Sequence, residues 1–143
     1  MERSLVISVS ARPGCYRHIQ ISENATLFKL HEAIVESFDF IDDHMHAFFM
    51  NNHAWDSSDE YLSPGGDLDD TRGFTDKVKL INFHIKKNDR FLNIFDFGDE
   101  WRFRLKVLRV IDDITKIFVI LKSVGEPIQY GYDDDDEDGD END

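Results

Sequence analysis

The sequence is poor in cysteine, in proline and in long apolar runs. Cys15 is its only cysteine, so no internal disulfide can form and a reducing compartment is expected. No run of about 18 apolar residues occurs, and no apolar segment follows a basic start at the N-terminus, so we expect neither a transmembrane helix nor a signal peptide. The sequence therefore predicts a cytoplasmic protein with no membrane partner.

Basic residues are also scarce. The chain has 16 Lys and Arg against 30 Asp and Glu, a formal net charge of −14, and nine of the acidic residues lie in Asp133–Asp143, which has no basic residue. That segment is too charged to fold alone, so we predict a disordered acidic tail over residues 133–143 and a single domain over residues 1–132. Because phosphate contacts need basic side chains, we expect no direct binding of nucleic acid.

Phenylalanine, in contrast, is abundant, with 12 residues, and its spacing indicates a central hairpin over Arg90–Val110. The first strand carries Phe91, Phe95 and Phe97 on one predicted face, and a turn follows over Phe97–Glu100, where Gly98 can supply a positive φ. In the second strand apolar and basic residues alternate strictly, as a half-buried strand requires. The apolar set is Trp101, Phe103, Leu105 and Val107, and the basic set is Arg102, Arg104 and Lys106.

Other segments have the periodicity of strands and of one amphipathic helix. The further predicted strands are Ser4–Ala11, Tyr16–Ser22, His44–Asn51 and Thr115–Lys122. Thr26 can cap a helix that runs to about Asp39. Asn52–Gly73 is predicted as a long loop or excursion, and Thr75 as the cap of a short helix over Asp76–Phe83. The predicted fold is α+β: a single mixed β-sheet built from hairpins with one main helix packed on it, β-grasp-like, and a short second helix.

Four segments carry short motifs in a defined order. They are ARPGCYRHIQI (Ala11–Ile21), TLFKLHEAI (Thr26–Ile34), DDHMHAF (Asp42–Phe48) and FDFGDEW (Phe95–Trp101). Together they resemble the plasmid pRiA4b ORF-3-like family. That family shows an aromatic-Arg pair, a Leu-His pair, a His-x-His-x-Phe strand and an aromatic-Asp-Phe-Gly-Asp-x-Trp turn. The matching positions here are Tyr16-Arg17, Leu30-His31, His44 to Phe48 and Phe95 to Trp101.

The resemblance implies the fold of that family but no reaction, because the family has no established activity to carry over. Its members are labelled insertion-sequence passenger proteins or resolvases. Strand exchange needs a nucleophile beside clustered basic groups, and the sequence shows no such constellation. The chain also departs from the family, since Phe103 stands where a His is common and Gly125–Pro127 replaces a longer C-terminal motif.

His44 and His46 are the candidate metal ligands. Residues i and i+2 of a strand point to the same face, so both imidazoles could reach one metal ion. A two-histidine spacing is a weak signal by itself, and the alternative is that both rings pack or hydrogen-bond along the sheet. The carboxylates that could complete a metal site are Asp42, Asp43, Asp96 and Asp99.

The turn before Trp101 and the pair Tyr16-Arg17 are further candidate ligand-binding residues. Asp96 and Asp99 could form a general-base or cation site beside the Trp101 ring, or could accept backbone N–H bonds as turn formers. Trp101 itself is favoured as a core residue. Tyr16 and Arg17 could stack on a ligand, whereas the plainer interpretation is a core aromatic residue beside a surface cation.

These observations favour a small cytosolic binding or interaction module without catalysis and without a cofactor. Its surface is expected to use the Asn52–Gly73 loop and the Asp96–Trp101 turn, and its partner is an unknown protein or small molecule. One alternative is a metal-assisted enzyme that uses His44, His46 and the turn carboxylates. Another is a mobile-element accessory protein, which requires a contiguous positive patch to touch DNA. The basic strand face with Arg109 could meet an acidic partner or the chain's own tail.

Overall fold

The computed structural model describes residues 3–65, 72–113 and 118–127. Eight strands and one α-helix are present in these ranges. The strands are β1 (Ser4–Arg12), β2 (Cys15–Ser22), β3 (His46–Phe49), β4 (Glu60–Leu62), β5 (Gly73–Phe74), β6 (Arg90–Phe95), β7 (Trp101–Ile111) and β8 (Phe118–Val124), and the helix is α1 (Leu27–Ser37). In the described part of the chain, no helix has the length and apolar character needed to span a membrane.

The strands form one mixed sheet in the order β5-β4-β3-β6-β7-β1-β2-β8. The two predicted hairpins, β1–β2 and β6–β7, are antiparallel, and they join side by side because β1 also pairs with β7. The short pair β4–β5 is parallel. The α+β class, the single mixed sheet and the one main helix are therefore confirmed. The β-grasp-like part of the prediction rests on the hairpin, helix and strand at the start of the chain, and it stays a prediction.

The helix α1 forms where the sequence predicts it. The side chain of Thr26 accepts a hydrogen bond from the backbone N–H of Lys29 at 3.1 Å, which satisfies one of the unpaired donors of the first turn. Leu27, Leu30 and Ile34 are fully buried, because their spacing places them on the stripe that faces the sheet. The helix thus covers one face of the sheet, which we call the inner face.

Apolar side chains separate into two clusters on the two faces. The inner cluster contains Ile7 and Val9 of β1, Ile19 and Ile21 of β2, Phe91 and Phe95 of β6, and Phe103, Leu105 and Val107 of β7. A smaller cluster lies on the outer face, at Ala47, Phe49, Leu62, Leu92 and Ile94. Because paired strands place facing residues on the same side, the basic residues that alternate with the inner cluster of β7 lie on the outer face.

Two short strands and a 3₁₀ turn lie inside the segment predicted as a loop. The turn is Ser57–Asp59, β4 follows it directly, and β5 begins at Gly73, while residues 66–71 lie outside the described ranges. The predicted long loop or excursion over Asn52–Gly73 therefore contains short regular elements that the sequence did not indicate. Strands of three and two residues are too short to show an alternating pattern, and β4 is held by its pairing with β3.

The predicted second helix over Asp76–Phe83 is also wrong. Two 3₁₀ turns, Thr75–Lys77 and Leu80–Phe83, replace it. Lys79 between them is extended and forms a bridge with Thr26, ahead of α1. Thr75 is fully buried and is the first residue of the first turn, whose N-cap is Phe74, without a side-chain cap hydrogen bond. Tertiary pairing with the start of α1 thus overrides the local helical pattern.

The central turn reverses the chain earlier than predicted. Asp96 and Glu100 take the positive φ values, 59° and 54°, and Gly98 does not. The alternation of β6 therefore ends at Phe95, and Phe97 packs on the outer cluster, where its ring centroid lies 5.1 Å from that of Trp55. The predictions for Gly98 and for the face of Phe97 are corrected accordingly.

The ends of two further elements differ from the predicted bounds. The third strand begins at His46, so His44 precedes it. The last strand is Phe118–Val124, whereas residues 115–117 of the predicted strand and the whole predicted tail, 133–143, lie outside the described ranges.

Gly125, directly after β8, offers a test of close backbone packing. Its φ is +77°, and a Cβ there would contact the carbonyl oxygen of Gly14 and lie 2.8 Å from Cys15 Cα. Gly14 has a similar φ of +80° but open space around it. We expect Gly14→Ala to lower the free energy of unfolding by about 1 kcal/mol through backbone strain alone, and Gly125→Ala by about twice that. Equal losses in urea unfolding would contradict the close contact.

Candidate functional site

A stacked pair of buried histidines lies where α1 meets the sheet. His31 on α1 is fully buried and His46 on β3 is 2% exposed. Their ring centroids are 3.7 Å apart and the planes are inclined by 15°. The ring of Phe95 flanks His31 at 5.1 Å. Two polar rings thus occupy core positions, which requires hydrogen-bond partners for their nitrogens.

Both nitrogens of His31 have partners. Nε2 lies 3.1 Å from Oδ1 of Asp42, and Nδ2 of Asn93 lies 3.1 Å from Nδ1. Because an amide NH₂ group only donates, Nδ1 accepts in this arrangement and Nε2 donates to the carboxylate. Asn93 is itself fully buried on the inner face of β6, and its Oδ1 has no partner among the described residues. The helix is thereby tied to two separate elements.

His46 is held differently. Its Nε2 lies 2.9 Å from Oγ1 of Thr75, and its backbone N–H donates to Oγ of Ser63 at 3.2 Å. Burial, and secondarily the neighbouring His31, lower the pKa of His46 to about 2. The ring is therefore neutral near pH 7, and a group with so low a pKa is a poor general base there.

His44 and Asp96 lie at the rim of this cluster. Nε2 of His44 is 3.4 Å from Oδ1 of Asp43 and 3.4 Å from Oδ2 of Asp96. The Asp96 side chain is 8% exposed, against 42% for His44. Oδ1 of Asp96 also lies 3.4 Å from the backbone nitrogen of Asp99, whose own side chain is exposed. Asp96 therefore connects the central turn to the rim, whereas Asp99 stays at the surface.

An open cleft of about 640 Å³ lies beside the histidine pair. We call it the histidine cleft. Its lining residues are Phe28, Asp42, Asp43, His44, Met45, His46, Ser63 and Pro64. Three elements supply them: the start of α1, the segment that leads into β3, and the end of β4 with the residues after it. Among the described residues, the lining includes two carboxylates and no Lys or Arg.

The nitrogens of His44 and His46 have different neighbours, because His44 precedes β3 and bonds along the rim while His46 bonds to Thr75. Within residues 3–65, 72–113 and 118–127, no group of three or more His, Cys, Asp and Glu side chains is arranged to hold a metal ion. The shared metal site stays a prediction.

Arg17 and Tyr16 lie away from the cleft. The interpretation of Tyr16 as a core residue beside a surface cation is wrong, because Arg17 is the more deeply buried of the two. Arg17 is 3% exposed and donates to three backbone carbonyls, those of Ser37 at 2.7 Å and of Tyr16 and Val124 at 2.9 Å. Its guanidinium carbon lies 4.3 Å from the ring centroid of Phe38. Tyr16 is half-buried on the outer face. The cation is therefore the core residue.

Trp101 packs against the core, as favoured from the sequence. Its ring meets that of Phe40 edge-on at 4.9 Å and lies 6.4 Å from that of Phe103. Its Nε1 is buried without a hydrogen-bond partner in the described chain. Trp101 thus belongs to the packing around Phe103, and does not line the histidine cleft.

Sequence reasoning missed three residues of the site: His31 as the ring partner of His46, and Asn93 and Thr75 as their hydrogen-bond partners. Asn93 gave a visible signal, because it is a polar residue at an inward position between Phe91 and Phe95. Thr75 gave no such signal, because a Thr at that position is equally well explained as the cap of a helix.

Fold and site together define a class: an α+β protein in which one helix crosses an eight-stranded sheet and a buried histidine pair joins the two. Three of the four motifs met in the sequence converge there, through His31, His44 to His46, and Phe95-Asp96. The chain belongs to the family of plasmid pRiA4b ORF-3-like proteins, whose sequence model matches residues 5–129.

A solved structure is similar as well. It is that of MM3350, a protein of unknown function from Methanosarcina mazei Go1, with 25% sequence identity and a TM-score of 0.66 over 86% of this chain and 70% of that one. The search of curated proteins gave no match.

Proposed function

We propose that the protein is a small binding module without catalysis and that its ligand lies in the histidine cleft. The observation that carries the proposal is the cleft of about 640 Å³, in which the lining residues His46 and Asp42 are held by hydrogen bonds to buried side chains. Ligand sites in proteins fall in the range of about 300–1,000 Å³ and are largely formed before binding. Here Thr75 fixes His46, and His31 fixes Asp42.

The lining indicates the kind of ligand. Asp42 and Asp43 offer carboxylate oxygens, while Phe28 and Met45 offer apolar surface. Carboxylates accept hydrogen bonds and repel anions. A ligand with hydrogen-bond donors and a short apolar part matches this set, whereas a small carboxylate does not.

Three features argue against catalysis at this site. His46, which reaches the cleft, has a pKa too low for a general base at neutral pH. His31 is fully enclosed, so its ring cannot touch a ligand directly. Ser63 is buried and its hydroxyl oxygen already accepts a hydrogen bond from the His46 backbone. These three polar side chains thus serve to stabilise the structure and are poorly suited to proton transfer.

The chain carries a natural reporter for the test. Met45 lines the histidine cleft, and Met50 lines a separate cleft beside Phe83 and Phe91. With ¹³C-methyl methionine, we expect members of a panel of small amines, amides and alcohols to shift the Met45 methyl signal saturably, without moving Met50. Small carboxylates are expected to leave both signals unchanged.

A pair of charge variants sharpens the result. Asp43→Asn removes a carboxylate of the lining, and we expect several-fold weaker binding of the best amine. Asp76→Asn removes an exposed carboxylate from a 3₁₀ turn and should leave binding unchanged. The proposal is wrong if no panel member moves Met45, or if Met45 and Met50 always move together.

A further inference from the structure

The outer face of the sheet carries a row of cations that the helix does not cover. Lys106, Ser8, His18 and Lys122 are direct cross-strand neighbours on β7, β1, β2 and β8. Arg104 lies beside this row, opposite Ser10, and Arg109 lies on its other side, opposite Val6. We call Arg104, Lys106, Arg109 and Lys122 the basic face.

The basic face has no acidic residue within its own strands. None of β1, β2, β7 and β8 contains an Asp or a Glu. Arg102, at the end of the same side of β7, is already paired with Glu100 across 2.6 Å, so we leave it out of the basic face. A chain with a net charge of −14 thus concentrates positive charge on one surface.

Two of these cations, Lys122 and Arg109, act on the same residue, His18. Nζ of Lys122 lies 5.7 Å from the ring centroid of Tyr16, and the rings of Tyr16 and His18 are 5.3 Å apart. Burial, followed by Lys122 and Arg109, lowers the pKa of His18. One cation from β7, Arg109, and one from β8, Lys122, therefore both influence the His18 ring on β2.

We propose that the acidic tail, Asp133–Asp143, docks on the basic face of the same chain and screens it from other polyanions. The tail holds nine acidic residues and no basic one, so its charge complements the face. The uncharged neighbours of the cations on this face include the hydroxyls of Ser8 and Ser10 and the rings of Tyr16 and His18. These groups suit an extended polar segment.

The path of the chain makes this contact possible. β8 is the strand at the edge of the face, and its last residue, Val124, pairs with Tyr16. Pro127 is buried, which anchors the chain near that edge. The five residues 128–132 then precede the tail and reach at most about 18 Å when extended. Four strands span about 14 Å, so the tail can reach every cation of the face.

Attachment in one chain also compensates for weak individual contacts. Exposed ion pairs are weak and are screened by salt, but a short linker gives the tail a millimolar effective concentration at the face. The contact should therefore be loose, and it should depend strongly on ionic strength.

A spin label on the tail tests the proposal in the full chain. Cys15 is 2% exposed, so Asp143→Cys provides one accessible thiol for a nitroxide. At low salt we expect paramagnetic broadening of amide signals several-fold stronger at Ser8, His18 and Lys106 than along α1. The difference should vanish near 1 M salt, where the Debye length is about 3 Å.

Matched charge variants identify the surface. Lys106→Gln/Lys122→Gln should reduce the broadening at the face several-fold, whereas Lys86→Gln/Lys87→Gln, which removes two exposed lysines elsewhere, should leave it unchanged. Broadening that is equal on α1 and on the face, or that ignores both lysine pairs, would overturn the proposal.

Heparin then measures the screening. In a full-length variant whose nine tail carboxylates are replaced by amides, we expect retention on heparin at low salt, and loss of that retention when Lys106→Gln/Lys122→Gln is added. The natural chain is expected to pass through. Elution of the amide variant together with the natural chain, or retention that survives loss of both lysines, would contradict the proposal.

Discussion

Replacing Arg17 by methionine is expected to lower the free energy of unfolding by about 3–5 kcal/mol. The guanidinium donates to the carbonyls of Ser37, Tyr16 and Val124, and a buried acceptor left without a donor costs about 1–3 kcal/mol. Methionine fills much of the volume over Phe38 but donates nothing. The loss should therefore come from unpaired carbonyls more than from a cavity.

Lysine and a surface arginine provide the controls for this prediction. Arg17→Lys keeps the charge, but an ammonium group cannot reproduce the planar fork that reaches the end of α1 and the end of β8 at once, so most of the loss should remain. Arg104→Met on the exposed side of β7 should change stability by no more than about 0.5 kcal/mol. Urea midpoints at an unchanged m value measure both. A loss below about 1 kcal/mol for Arg17→Met would show that water or rearranged backbone replaces the guanidinium.

Arg17 also shows how pattern and composition can disagree. Strict alternation in β2 placed Arg17 in one set with Ile19 and Ile21, and both of those residues are fully buried. The general preference of arginine for the surface argued the opposite. The periodicity was the better guide, because Ser37 and Val124 supply carbonyls that no local sequence window contains.

Periodic segments were predictable and aperiodic ones were not. The spacing of Leu27, Leu30 and Ile34, with the cap at Thr26, is enough to define α1, and alternation defines β1, β2 and β7. β4 and β5 are held by neighbours distant in sequence, so local patterns carry no information about them. The same limit applies to Phe97, whose spacing continued the strand pattern past the point where the chain reverses.

The candidate site was predicted in part for the same reason. The His-x-His motif drew attention to His46, but its stacking partner comes from α1, and spacing along one strand cannot reveal a contact between two elements. Asp42 was considered only as a metal ligand, whereas the structure pairs it with His31. Asp96 was considered as a metal ligand, a general base or a turn former, and the structure pairs it with His44. The residue types thus indicated which side chains belong to the site, but their hydrogen-bond and stacking partners could be identified only from the fold.

Acidification is expected to destabilise the protein through His46. Its pKa is about 2 in the folded chain against an ordinary value of 6.5, so below pH 6.5 the unfolded chain binds a proton that the folded chain does not. Stability from this group is complete above about pH 6.5 and is lost progressively as the pH falls toward 2. Each pH unit in that window costs about 1.4 kcal/mol, so roughly 2–3 kcal/mol should be lost between pH 7.5 and 4.5.

A variant that cannot titrate isolates this contribution from that of other groups. His46→Gln keeps a polar partner for Thr75 but loses the ring stack, so it should be less stable at pH 7.5 and yet lose roughly 2–3 kcal/mol less than the natural chain on going to pH 4.5. His53→Gln, which removes an exposed imidazole, should follow the natural chain. Urea unfolding at several pH values above 4.5 avoids most carboxylate titration. Parallel stability curves for His46→Gln and the natural chain would mean that the buried ring accepts a proton inside the folded protein, most simply through an opening of the stack toward the histidine cleft.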